Sequence, residues 1–156
     1  MVGKLLGSLL LLVAGLGLAH MERLRGKHRL AVLDAWIALL LFIRNQIDCY
    51  LRPLEEILSH PHAPSLPYGS RPAAPTLAAW IDASLPDLEP EAQRLLKALA
   101  EELGGSYRTE QLRRCDYYLS ALQGLRAKQA EGLSARARAT TALCICSALG
   151  VAVLLW

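Results

Sequence analysis

An all-α fold follows from three observations on this sequence. Leu30, Leu33, Ile37, Leu40, Ile47, Leu51, Leu54 and Leu58 step by three and four, with only Arg44 breaking the stripe. That spacing repeats with the 3.6-residue period of a helix and not with the two-residue period of a strand. The charges are also unevenly placed. Every acidic residue lies between Glu22 and Glu131, and every basic one except Lys4 lies between Arg23 and Arg138. Finally, proline, glycine and capping residues cut the polar middle into segments of helical length. The expectation is a helical bundle at 22–138, flanked by N- and C-terminal transmembrane helices at 1–21 and 139–156.

Residues Leu5–Ala19 are almost wholly apolar and follow Lys4. A cleaved signal peptide would have a positive start, a short apolar core and small residues such as those of Ala14–Ala19. The run Met1–Met21 instead approaches the ~20 residues that a spanning helix needs, with Lys4 able to snorkel. It enters the charged cluster Glu22–Arg29 without a turn residue, which favours an uncleaved anchor. Gly3, Gly7, Gly15 and Gly17 are tolerated in membrane helices and let a second helix approach closely.

The central helix is expected from about Arg23 to Tyr50. Its polar face carries Asp34, Asn45, Asp48 and Arg52, so it is amphipathic and needs a partner. Pro53 interrupts the pattern, because proline pushes the preceding residue out of the α region. A kink and a short helix Pro53–Ser59 are predicted. His60–Pro75 is a loop by composition.

Pro75–Ser84 reads as a short helix with Leu77, Trp80 and Ile81 on one side. Pro90 suits the first turn of the next helix, with Asp87, Glu89 and Glu91 at its positive end. That helix carries Ala92, Leu95, Leu96, Leu99 and Leu103 and is expected to stop at Gly104-Gly105. Trp80 and this leucine stripe are read as core facing the central helix. Ser106 or Thr109 opens the last helix, where Leu112, Cys115, Leu119 and Leu122 keep the three-four spacing and Tyr117 and Tyr118 lie beside it. Gly132 weakens this helix by ~1 kcal/mol relative to alanine without ending it. Ala139–Trp156 carries no charge and is the second spanning candidate, with Trp156 at the far interface.

The basic residues set an orientation. Arg23, Arg25, Lys27 and Arg29 follow the first span, and Arg126, Lys128, Arg136 and Arg138 precede the second. Basic residues are retained on the cytoplasmic side, so both flanks place the middle domain in the cytoplasm.

Composition and motifs argue against several functions. The formal net charge of +3 is small and mixed in sign, which argues against nucleic acid as a partner. Cys49, Cys115, Cys144 and Cys146 lack the spacing of a secreted disulfide framework and are read as reduced structural thiols. Cys144 and Cys146, two apart on a helix, point to nearly opposite sides and cannot share a metal. His60 and His62 have no neighbouring Cys or carboxylate to complete a metal shell and are read as loop histidines. No phosphate-binding glycine loop or nucleophile elbow occurs. Glu55-Glu56 and Glu101-Glu102 are adjacent pairs whose members point ~100° apart on a helix, so neither forms a local acid–base couple. No catalytic residue, cofactor or small-molecule substrate is expected. Arg44 is the odd residue: a charge in the apolar stripe must snorkel, reach Asp48 one turn on, pair with another helix or face a partner.

The chain as a whole resembles the stage III sporulation protein AB family of endospore-forming bacteria. The resemblance rests on the N-terminal anchor, then Arg44-Asn45-Gln46-Ile47-Asp48-Cys49-Tyr50 running into Pro53-Leu54-Glu55-Glu56-Ile57-Leu58. Leu103-Gly104-Gly105-Ser106 before Glu110-Gln111-Leu112, and Leu149-Gly150-Val151 in the charge-free C-terminus, continue it. The proline-rich His60–Pro75 loop and the Ala/Arg-rich segment before Ala139 depart from the family's pattern. The resemblance implies a small helical bundle similar to the cytoplasmic domain of type II secretion platform proteins. It implies a non-enzymatic scaffold in the mother-cell membrane around the forespore, within a secretion-like channel complex and engaging that complex's cytoplasmic ATPase. Arg44, Asp48, Glu55 and Glu56 are then the expected partner contacts. The alternative is a holin-like or small pore-forming protein that uses the two spans and treats the middle as a linker. The helical stripes and tryptophans of that middle are more than a linker needs.

Overall fold

The computed structural model describes residues 2–50, 52–67, 76–103 and 107–155, with side chains described only in part over 2–19 and 141–155. All regular structure among them is helical: α1 (Val2–Tyr50), α2 (Leu54–Ser59), α3 (Leu77–Ser84), a 3-10 turn (Leu85–Asp87), α4 (Pro90–Glu102) and α5 (Arg108–Leu155). The central helix does not begin near Arg23. It is continuous with the apolar N-terminal segment, because no proline or turn residue separates Met21 from the charged cluster. Gly132 likewise leaves α5 unbroken.

The chain divides into two compact units, residues 28–128 and residues 1–27 with 129–156. In the first, one core gathers side chains from every helix of the unit, including Leu33, Trp36, Leu40, Ile57, Trp80 and Leu96. Its polar exception is Ser84, whose hydroxyl accepts a hydrogen bond from Trp36 Nε1 at 3.1 Å and lies 2.9 Å from the Ile81 carbonyl that it can donate to. Thr76 caps α3 by accepting from the Ala79 amide. Gln93 donates to the carbonyls of Leu85 and Leu88, closing the 3-10 turn before α4. These polar contacts satisfy helix ends that burial would otherwise penalise.

The buried face of α1 is displaced from the expected one. Val32, Leu33, Trp36, Leu39, Leu40, Ile43 and Ile47 are buried, whereas Leu30 and Ile37 are only partly so. A strict heptad drifts ~20° per repeat against a straight helix, and here the stripe passes through Ile43 and leaves Arg44 on its flank. On α5, Cys115, Tyr118, Leu122 and Leu125 are buried, so Tyr118 belongs to the core while Tyr117 is exposed. Leu77, Trp80 and Ile81 of α3, and Ala92, Leu96 and Leu99 of α4, are buried. The expected stop at Gly104-Gly105, the position of Leu51, the second half of the expected loop (68–75), and Trp156 lie outside the described residues.

In the second unit, Arg23 Nη2 donates to the Ala137 carbonyl at 3.0 Å. A Cβ added to Gly26 would lie 2.6 Å from Leu133 Cδ1, so glycine permits a close approach there. Val13, Met21, Leu24 and Leu143 are more than half exposed. Among the described residues one stretch, His20–Tyr50, is long and apolar enough to cross a membrane. From Val32 onward, Val32, Leu33, Trp36, Leu39, Leu40, Ile43 and Ile47 of this stretch are buried in the core of the first unit, while Leu41 and Tyr50 are exposed.

Candidate functional site

The four residues expected to contact a partner all fall near the end of the core unit where α1 finishes, α2 turns away and α5 begins. Arg44 and Asp48 are paired across to α5, while Glu55 and Glu56 stand exposed on α2. Arg44 forks onto Asp116 of α5, with Nε to Oδ1 at 2.6 Å and Nη2 to Oδ2 at 3.5 Å. The Asp116 carboxylate holds the Arg44 guanidinium pKa above its ordinary value, through the hydrogen bond first and its charge second. Asp48 accepts from Arg108 Nη2 at 2.7 Å, and the same guanidinium reaches the Asp48 carbonyl. Two of the four are therefore internal ties between α1 and α5. Arg44 uses the helix–helix option open to it.

A third such pair, Arg126 Nε to Asp34 Oδ1 at 2.9 Å, completes a ladder. Its order encodes direction. From Asp34 to Arg44 the α1 partner advances ten residues, and from Arg126 to Asp116 the α5 partner retreats ten, as antiparallel helices require. The signs run minus, plus, minus along α1 and plus, minus, plus along the facing α5. Slipping the helices by ten residues would set Arg44 against Arg126, or Asp34 against Asp116. The ladder thus penalises wrong registers as well as favouring the right one. Each pair is substantially exposed, so its contribution is to register more than to stability.

Glu55 and Glu56 are different. Both are exposed in the first turn of α2, where carboxylates complement the helix dipole. Glu56 lies 3.7 Å from Arg52 one turn back, and the Arg52 guanidinium stands 5.4 Å over the exposed Tyr50 ring. Glu55 has no ion-pair partner among the described residues. It borders an open cleft with Arg52, Leu54, Leu77, Leu103 and Arg108. Tyr107, just before α5, is almost fully exposed, and Tyr117 is exposed one turn beyond Arg113. Sequence reasoning set Tyr117 beside the apolar stripe and singled out neither Tyr50 nor Tyr107 as a surface residue. It also missed Asp34, Asp116, Arg108 and Arg126 as the other halves of the ladder. The mirrored order of charges on the two helices was the available signal.

Several other chemistry-bearing residues have structural partners. His60 packs against Phe42 with ring centroids 6.0 Å apart, and its Nδ1 accepts from the His62 amide. Cys115 is buried, which pushes its thiol up to about 11, while Cys49 is exposed. Arg113 and then Arg114 hold the Glu110 carboxyl below its ordinary range. Among the described residues no group of three or more His, Cys, Asp or Glu is placed to hold a metal ion.

Compared with models of known protein families, with curated proteins and with solved structures, the chain finds no match.

Proposed function

We propose that this protein is a non-enzymatic membrane scaffold. Residues 1–21 and 139–156 span the membrane, and the helical bundle between them is presented to the cytoplasm. The observation that carries this reading is the opposite treatment of apolar and charged residues in the two units. Residues 1–27 with 129–156 hold six Lys/Arg against two Glu, and the rest of the chain holds eleven Lys/Arg against twelve Asp/Glu. The first of these units also exposes Val13, Met21, Leu24 and Leu143. Exposed aliphatic side chains on helical segments that carry no charge but Lys4, flanked by cations, suit lipid on one side and the cytoplasmic leaflet on the other. A packed core including two fully buried tryptophans favours a folded presenting domain over a linker between pore helices.

With the family resemblance, the scaffold belongs to a sporulation channel complex in the mother-cell membrane around the forespore and engages its cytoplasmic ATPase. Since Arg44 and Asp48 are tied internally, the contact surface narrows to Glu55 and Glu56 of α2, with Tyr50 joined to them through Arg52. Deletion of the gene in its native organism should arrest sporulation after the forespore is engulfed. The intact gene should restore it, and a version lacking Ala139–Trp156 should not. Normal heat-resistant spores from the deletion strain would refute the sporulation role.

A further inference from the structure

We propose that the unit formed by residues 1–27 and 129–156 carries a cationic collar that binds the headgroups of anionic phospholipids. The proposal rests on the membrane reading above and goes further, naming the lipid class and the residues that select it. Two basic runs more than a hundred residues apart in sequence meet at one level of an antiparallel helix pair. The Arg23–Ala137 hydrogen bond and the close approach of Leu133 to Gly26 fix that level. At 1.5 Å per residue, Arg25, Lys27, Arg136 and Arg138 fall within a band about 8 Å tall. The headgroup layer of one leaflet is about 5–8 Å thick, so the band fits within it. The band begins where the charge-free segment 139–156 ends, which is where a headgroup would meet it.

The pairing pattern separates these cations from their neighbours. His28 contacts Asp87 at 2.9 Å, Arg29 lies 3.7 Å from Glu89, Arg126 pairs with Asp34, and Lys128 lies 3.5 Å from Glu91. Each of those side chains has its carboxylate inside the core unit. Arg25, Lys27, Arg136 and Arg138 are exposed and have no carboxylate partner among the described residues. Glu22 is the one acid in the band, against five Lys/Arg including Arg23. Residues two apart on a helix point about 160° apart, so Arg25 with Lys27, and Arg136 with Arg138, distribute charge around the pair and do not form a one-sided patch. Phosphate oxygens of an acidic lipid supply anionic acceptors for these guanidinium and ammonium groups.

The test reconstitutes the full chain into vesicles of mixed zwitterionic phosphatidylcholine and anionic phosphatidylglycerol. It then extracts the protein in mild detergent and quantifies the lipid retained, by headgroup. The wild-type chain should retain phosphatidylglycerol at about fivefold or more above its bulk share, the preference expected from even one surface cation. The variant R25Q/K27Q/R136Q/R138Q should retain lipid at the bulk ratio. The charge-loss control R94Q/K97Q, altered at exposed positions of α4, should behave as wild type. A bulk ratio for the wild type, equal enrichment in the quadruple variant, or loss of enrichment in the control would each overturn the collar while leaving the membrane reading intact. Release of the wild-type chain from the vesicles by alkaline carbonate would refute the membrane reading and the collar together.

Discussion

The two units solve opposite solvation problems with the same two helices. Between residues 28 and 128, α1 buries Leu33, Trp36 and Leu40, and its charged flank is neutralised by α5. Between residues 1 and 27, the same α1 exposes Val13, Met21 and Leu24 and carries Arg25 and Lys27, which have no carboxylate partner among the described residues. Helix propensity does not distinguish these stretches, since both are helical throughout. What differs is the medium each surface is built to meet: a protein core in one case, and lipid with its headgroups in the other under the function proposed here.

The largest effect should come from breaking the core where it has no exposed counterpart. Trp36→Ala removes a fully buried side chain together with the hydrogen bond to Ser84. It should destabilise the core unit by about 3–5 kcal/mol. Leu24→Ala, at a side chain more than half exposed in the other unit, should stay within about 0.5 kcal/mol. Thermal melts of the full chain in mild detergent, followed by circular dichroism, measure both. Equal losses would erase the contrast between the units.

A smaller effect sharpens the comparison within the core unit. Arg44→Asp should lower the melting temperature by less than Trp36→Ala, because the Arg44–Asp116 pair is partly exposed and screened. It places two carboxylates together, so the loss should exceed that of Arg44→Ala. Adding Asp116→Arg should restore most of it, as expected for a register device that reads the order of charges. If the double exchange fails to recover stability, the pair does not act through its sign.

Much of this architecture was legible in the sequence because helix punctuation is local. Pro53 and Pro90 mark element boundaries through their own backbone chemistry, and the structure starts α2 and α4 within a residue of each, while α3 starts at Leu77, two residues after the expected Pro75. The α1 stripe was legible in period and not in phase. A heptad and a 3.6-residue repeat differ too little over a few turns to decide whether Ile43 or Arg44 faces inward. The fate of Arg44 and Asp48 was less accessible still, since it depends on where α5 lies beside α1, set by residues sixty to ninety positions away. Their expected role as partner contacts was implied by the family resemblance, which took the exposed faces of the Leu30–Leu58 and Thr109–Arg138 helices as the contact surfaces. Glu55 and Glu56 were legible as surface carboxylates because adjacent acids at the start of a short helix suit its solvated face, and both are exposed.

The central claim is that the core unit is held on the cytoplasmic side of a membrane by helices at both ends. Cys49 tests it directly, being exposed in that unit, while Cys115 is buried with its thiol pushed up to about 11 and stays unreactive near neutral pH. In a C144A/C146A background, a membrane-impermeant maleimide should leave the protein unlabelled in intact cells and modify Cys49 once the cells are permeabilised, with the protein in the membrane fraction throughout. Labelling of Cys49 in intact cells, or recovery of the chain in the soluble fraction, would contradict the account.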